Sequence, residues 1–412
     1  MRDLSFCRQQ FPSLTRLGPD ENPLIFLDGP GGSQVPYPVI DAISEYYQHH
    51  NANTHGLFIT SRESDAIIEQ ARLDVKAFLG ASAESTISFG QNMTTLNFLL
   101  SQALGSYLRP GDEIIVTDLD HDSNIAPWLS LKDRGIVVRQ VPITNEAILD
   151  LDAFKRLISN KTRLVAVGWA SNAVGTVNPL PLIREWTRAV GSLMLVDAVH
   201  WAPHGPIDVA ELQPDFLLCS AYKFFGPHIG ILYAAPGLLN KLDTLRVRPQ
   251  VPKGAEKIET GTLNHAALAG VSAAINFIGA LELDPKPTGT QRLHQAMQTV
   301  YDYEHHLART LFEGLSEMPR VTIYGPPVNQ APRTPTVSFT VRGVSSSHIA
   351  EELGRRGILV WDGDFYAMTL VDRLGIREQG GLVRLGLAPY NTEDEIQRTL
   401  NAIHDVEVNL GA

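Results

Sequence analysis

The chain has 412 residues, 34 of them basic and 45 acidic, and its net charge of −11 argues against nucleic-acid or anionic-membrane partners. That length can bury a large core and predicts two lobes, while two cysteines, Cys7 and Cys219, exclude a disulfide framework or a multi-cysteine metal site. The opening MRDLSFCRQQFPSL lacks a signal-peptide pattern and the most apolar stretch, Ala266 to Leu283, is interrupted by Ser272, Asn276 and Glu282, so a cytoplasmic protein is expected.

Residues 1–25, with Pro12, Pro19 and Pro23, read as a polar arm packed on another element. IFLDGPGGSQVP follows as a strand fragment and a Gly-rich turn, where Gly29, Gly31 and Gly32 let a ligand or a backbone approach closely. No GxGxxG is present, which speaks against dinucleotide binding. Pro38 suits the first turn of a helix through about His50, polar NANTHG comes next, and a second helix, Arg62 to Leu79, ends at Gly80. ISFGQNMTTLNFLL turns from strand to helix near Thr94, whose hydroxyl and neighbouring free amides make either an anion site or a simple helix cap.

Strand Glu113 to Thr117 leads into DLDHDSNIAPW, where His121 stands between Asp120 and Asp122. With Asp197, His200 and His204 these could form a metal site, although Pro203 spoils a helical HxxxH. Strand Val137 to Val141, a helix near Asp152 to Ile158 and strand Leu164 to Val167 continue an alternating α/β pattern. Asn172 beside Gly175 reads as a turn residue.

Two buried strands, Leu193 to Val196 and Phe216 to Cys219, then deliver Asp197 to one crevice and Ser220, Tyr222 and Lys223 to the same place, because parallel sheets gather ligands at strand C-termini. Lys223, followed by Phe224, Phe225 and Gly226, loses solvation, which lowers the pKa of its amine toward that of a usable nucleophile. Such an amine forms a Schiff base with an aldehyde. If the aldehyde is pyridoxal phosphate, its ring nitrogen must stay protonated, and Asp197 is the candidate carboxylate. A plainer alternative makes Asp197 a cap and Lys223 half of an ion pair.

KIETGTLNH opens a helix through Leu283, with Thr262 as a cap, and DPKPTGTQ at 284–291 marks the lobe boundary. Helix Gln291 to Leu315, strands Val321 to Tyr324 and Thr336 to Val341, helix His348 to Arg355, strands Ile358 to Trp361 and Leu382 to Leu387, and helix Thr392 to Val408 complete an α+β lobe. Arg384, at a strand centre, offers a planar guanidinium suited to a carboxylate.

VDAVH and SAYKFFGPHIG, at their mutual distance, resemble the cofactor-lysine region of class V aminotransferases, fold type I pyridoxal phosphate enzymes that include cysteine desulfurases, selenocysteine lyases, kynureninases and isopenicillin N epimerases. The resemblance is strongest to the cysteine desulfurase-like members. It implies an α/β fold: a large domain, 26–285, around a mainly parallel seven-stranded sheet, a small α+β domain, 286–412, and an arm, 1–25, packed on the latter. It also implies a homodimer with shared sites.

The same resemblance assigns the residues. Lys223 would carry pyridoxal 5'-phosphate and move the Cα proton, Asp197 would hold the pyridinium proton, and His121 would stack on the ring. Met93, Thr94 and Tyr222 would contact the cofactor phosphate, Ser220 would also bind the cofactor, and Thr262 would reach the neighbouring subunit's phosphate. Asn172 would face the phenolic oxygen, and His200 stands where kynureninases also have histidine. Arg384 would hold the substrate carboxylate, with Asn53 and His55 at the substrate mouth.

One departure stands out: the loop WDGDFYAMTLVDRLGIREQGG carries Tyr366 where desulfurases have their nucleophilic cysteine, and Trp361 where some relatives have arginine, so that Asp362, Asp364 and Tyr366 would instead offer the substrate polar contacts. The expected activity is therefore Cβ elimination, including carbon–sulfur lysis, on a small amino acid. Desulfuration, transamination and epimerisation are alternatives within the family; a metal hydrolase and a silent binding protein are alternatives outside it.

Overall fold

The computed structural model describes residues 3–19 and 21–409. Seven strands form the main sheet: β2 (Thr86–Gly90), β3 (Glu113–Thr117), β4 (Val137–Val141), β5 (Thr162–Gly168), β6 (Leu193–Asp197), β7 (Phe216–Ser220) and β8 (Gly230–Ala234), counting Ile25–Phe26 as β1. Their spatial order is β2-β8-β7-β6-β5-β3-β4, with only β8 antiparallel to its neighbours. Every residue of β3, β7 and β8 is buried, as befits strands covered on both faces, so their sequences read as unbroken apolar runs. Helices between the strands supply the cover, and the fold is the α/β architecture with a mostly parallel seven-stranded sheet.

The register fixes the chemistry's address. Gly168, Asp197 and Leu218 are successive neighbours across β5, β6 and β7, so Asp197 ends its strand beside the β7 terminus that leads to Lys223. The helix Met93–Gly105 begins against the same edge because Gly230 has no side chain: a Cβ there would lie 2.3 Å from the Asn92 carbonyl carbon.

A four-stranded antiparallel sheet, β12-β13-β10-β9, follows toward the C-terminus, built from β9 (Val321–Tyr324), β10 (Thr336–Val341), β12 (Trp361–Gly363) and β13 (Leu382–Gly386). The single strand expected from Ile358 to Trp361 is two strands: β11 (Ile358–Leu359) pairs with β1, and β12 pairs with β13. Val360 is the pivot, since the backbones of Gly357 and Leu359 accept hydrogen bonds from Ile25 and Leu27 while Trp361 is aligned with Arg384. The helix expected through His50 is α-helical over Tyr37–Glu45 and closes as a π turn, Tyr46–His50. That wider turn sets the Tyr46 hydroxyl 2.9 Å from Ser64 Oγ. The apolar helix His265–Ala280 lies within the core, and among the described residues no helix is long and apolar enough to cross a membrane.

Arg333, fully buried, has no carboxylate partner among the described residues; it donates instead to the carbonyls of Pro326 (2.5 Å), Val174 (3.0 Å) and Thr336 (2.5 Å) and lies over the Phe312 ring. It thereby ties the turn after Asn172 to the start of β10. Arg333→Met strands three buried carbonyls and is expected to cost about 3–5 kcal/mol of stability, read as a lower denaturant midpoint. A loss below about 1 kcal/mol would show the clamp to be dispensable.

The first residues are woven in at long range. Arg8 pairs with Glu395 at 2.6 Å and donates to the Tyr390 carbonyl at 2.7 Å, while the Phe11 ring packs edge-on against Phe225, Phe277 and Tyr390.

Candidate active site

Lys223 ends a short 3-10 turn, Ala221–Lys223, that continues β7, and its Nζ donates to the carbonyls of Pro30 and Gly31 in the Gly-rich turn. That turn is held close because Gly31 lacks a Cβ, which would stand 2.6 Å from Trp361 Nε1. Phe225, two residues on, is buried in a left-handed conformation with φ 69°. Its amide donates to Ser33 Oγ at 2.7 Å, so the turn that carries the lysine stores strain held by packing. Burial lowers the Lys223 amine to about 7, the Arg384 charge adds to the effect and Asp197 opposes it.

Asp197 is buried at the end of β6, one oxygen accepting the Val199 amide at 2.9 Å, and burial raises it to about 6 against the pull of that amide and of Lys223. Asp120 lies behind it. Its carboxyl accepts from the Gly168 amide (2.7 Å) and the Asn124 side chain (3.2 Å), and burial and then Asp197 push it up to about 8. Two buried carboxyls so placed resist being charged together, which is why Asp120 is pushed up further than Asp197.

His121 Nδ1 accepts the Ser123 amide at 3.0 Å, which leaves the ring proton on Nε2. Burial, then Lys223 and Arg384, hold it down to about 4, so it is neutral at physiological pH. Its ring is stacked on Tyr366 at 5.3 Å. Ser123 reaches on to Met93 Sδ at 3.3 Å, and the Met93 amide donates to Ser220 Oγ at 3.0 Å. Thr94, second in its helix and exposed, has no intrahelical acceptor for its amide. Tyr222 is stacked on His228 at 4.6 Å and lies under the Lys223 amine.

Arg384, in the middle of β13, is buried; its Nη1 donates to the Asn172 carbonyl at 3.0 Å and its Nε has no acceptor among the described residues. Burial lowers its pKa to about 9, with Asp28 opposing. Asn172 gives its side-chain amide to the Phe365 carbonyl at 2.9 Å and keeps a buried oxygen unpartnered. His200 is buried with Nε2 between the hydroxyls of Thr334 (3.1 Å) and Thr336 (3.0 Å), and His204 is paired with Glu304 at 2.8 Å, so both histidines are engaged away from Asp197.

Asn53, His55 and Thr262 stand apart from this group. All three are exposed, and His55 and Thr262 line a cleft of about 630 Å³ with Asp65, Arg72 and Glu259 that includes none of the residues around Lys223. Sequence reasoning missed Asp28 and Phe365. An apolar residue in a polar loop gave no signal, and Asp28 reads as part of its turn.

An amine and an acid at the C-terminal edge of a parallel sheet, with a guanidinium contributed by the antiparallel sheet, mark the candidate active site of an α/β enzyme. The Aminotransferase class-V pattern matches residues 25–399, and the chain belongs to that family. It is 31% identical over 420 residues to a cysteine desulfurase from Serratia proteamaculans, covering 98% of each chain. With a cysteine desulfurase from Pectobacterium atrosepticum it is 29% identical over 406 residues, 95% of each. A solved cysteine desulfurase from Thermococcus onnurineus NA1 superposes with a TM-score of 0.87 at 28% identity over 99% of both chains. The cysteine desulfurase CsdA from Escherichia coli gives 0.85 at 26% over 100% of this chain and 99% of its own. The protein is thus a cysteine desulfurase-like enzyme of a pyridoxal phosphate-dependent family.

Proposed function

We propose that this enzyme binds pyridoxal 5'-phosphate at Lys223 and cleaves the carbon–sulfur bond of a small amino acid by Cβ elimination, releasing sulfide to solvent rather than passing it to a protein thiol. The observation that carries the reading is the state of the two cysteines. Cys7 is buried in the N-terminal segment with its thiol pushed up to about 12 by burial. Cys219 is buried within β7, its thiol raised further by burial and by Asp197. Neither supplies a mobile thiolate, and Tyr366 occupies the loop over the site.

The donor set fits the cofactor. The Thr94 amide at a helix N-terminus suits a phosphate, the second Asp197 oxygen suits a pyridinium, the orphaned Arg384 Nε suits a carboxylate, and Lys223 is the amine for the aldehyde. When bound, the cofactor supplies an electron sink for charge developing at the substrate Cα. Lys223, near neutrality, takes the Cα proton; Asp197 keeps the ring nitrogen protonated; His121 offers a flat neutral face and Nε2–H; Arg384 orients the carboxylate. For cysteine the balance is cysteine plus water giving pyruvate, ammonia and hydrogen sulfide, with no external oxidant or reductant.

A homodimer is part of the proposal, supported by His55 and Thr262, which line a surface cleft away from their own chain's lysine, and by the exposed run Leu57, Phe58 and Ile59 beside them. The division near residue 285 is supported by the different sheets on either side of it, and a cytoplasmic location by two unpaired cysteines.

Product identification tests the reaction: pyruvate, ammonia and sulfide in equal amounts are expected from cysteine, whereas alanine with a protein-bound persulfide would overturn it. A pH series tests the nucleophile. Because Lys223 is held down to about 7, its neutral fraction rises about tenfold per pH unit below that point and levels off above it. Capture of pyridoxal phosphate by cofactor-free protein, trapped with borohydride, should follow that curve; a flat rate between about pH 5 and 7 would show that another group reacts.

A further inference from the structure

Phe365 belongs to a segment, Asp364 to Ala367, folded over the site. Its ring centroid is 4.1 Å from the Arg384 guanidinium carbon, its carbonyl holds the Asn172 amide at 2.9 Å, and its neighbour Tyr366 is stacked on His121 at 5.3 Å. Two consecutive residues thus occupy Arg384 and His121, which the function proposed above gives to substrate and cofactor, and Asn172, which the family resemblance gives to the cofactor. Both are in left-handed conformations, φ 54° and 60°, although neither is glycine. Such backbone persists only where contacts hold it. Those contacts are the Asp122 amide on the Tyr366 carbonyl (2.7 Å), the Tyr366 amide on Asp364 Oδ1 (3.0 Å) and an Asp364–Arg377 ion pair at 3.5 Å. Arg384 meanwhile has a buried Nε without an acceptor, and Asp28, the one acid that acts on it, forms no ion pair with it among the described residues.

We infer that Phe365 is a specificity-determining residue, the resident occupant of the carboxylate seat: an incoming α-carboxylate displaces its ring from Arg384 and its carbonyl from Asn172. Ligands without a carboxylate leave the segment in place and are refused. The inference rests on the assignment of Arg384 to the substrate carboxylate, and its test separates the two.

Propionate, titrated calorimetrically into the full-length protein with and without pyridoxal phosphate, is the probe. Phe365→Ala is expected to bind propionate about tenfold more tightly than the parent, because the desolvated cation–π contact no longer has to be broken. Phe365→Tyr, which keeps the ring, should match the parent. Weaker binding by Phe365→Ala would make the ring a wall of the seat, and unchanged binding would make it a bystander; either result overturns the inference. Should Arg384→Gln bind propionate as the parent does, or no variant bind it, the assignment of Arg384 falls as well.

Discussion

Lys223→Ala is expected to remain folded, to stay colourless with pyridoxal phosphate, to retain no label after borohydride, and to lose turnover by at least about 10³-fold. Folding should survive because the side chain is half-buried and its burial works against its charge: the pKa is lowered to about 7. Removing it relieves that cost and leaves the Pro30 and Gly31 carbonyls, its two acceptors, facing the crevice. The activity loss is large because one atom serves as both covalent anchor and proton carrier. A coloured adduct that survives in Lys223→Ala and is fixed by borohydride at another residue would sink the assignment.

Arg384→Gln carries the second large effect. The guanidinium is buried and incompletely partnered, so a bound carboxylate would be its principal counter-ion, and losing that contact should lower kcat/KM for an amino acid by about 10²–10³-fold. Most of the change belongs in KM, because the pair is present in bound substrate and transition state alike. Steady-state kinetics on an amino acid, with the variant's denaturant midpoint beside them, check this. A lowered midpoint with an unchanged KM would show that Arg384 supports the fold and not the substrate.

The parts legible in the sequence were those fixed by local pattern. Strands buried on both faces announce themselves as apolar runs, and Asp197 and Lys223 could be singled out as candidates because one ends such a run and the other stands three residues past the end of another. The family and the α/β fold follow from those motifs. What stayed hidden depends on contacts between distant residues. Nothing in Gly-Ile-Leu-Val-Trp marks Val360 as the point where one sheet hands over to another, since both halves have the same strand-like composition. His200 could be placed beside Asp197 by counting, but its hydroxyl partners lie on residues 334 and 336. Phe365 was invisible because its importance comes from a backbone angle and a ring contact that composition does not encode.

The weaving of the first residues into the last has a consequence for biosynthesis. Cys7 and Arg8 bond to the carbonyls of Pro389 and Tyr390, 382 positions away, and Phe11 wedges between Tyr390 and Phe225. During translation that segment has to wait, with Leu4, Phe11 and Leu14 uncovered, until residues 389 and 390, about 380 positions on, have left the ribosome. Phe225, which helps shape the lysine turn, receives its Phe11 neighbour only then, so nascent chains stalled before residue 390 should lack a finished catalytic pocket however well their central sheet has formed.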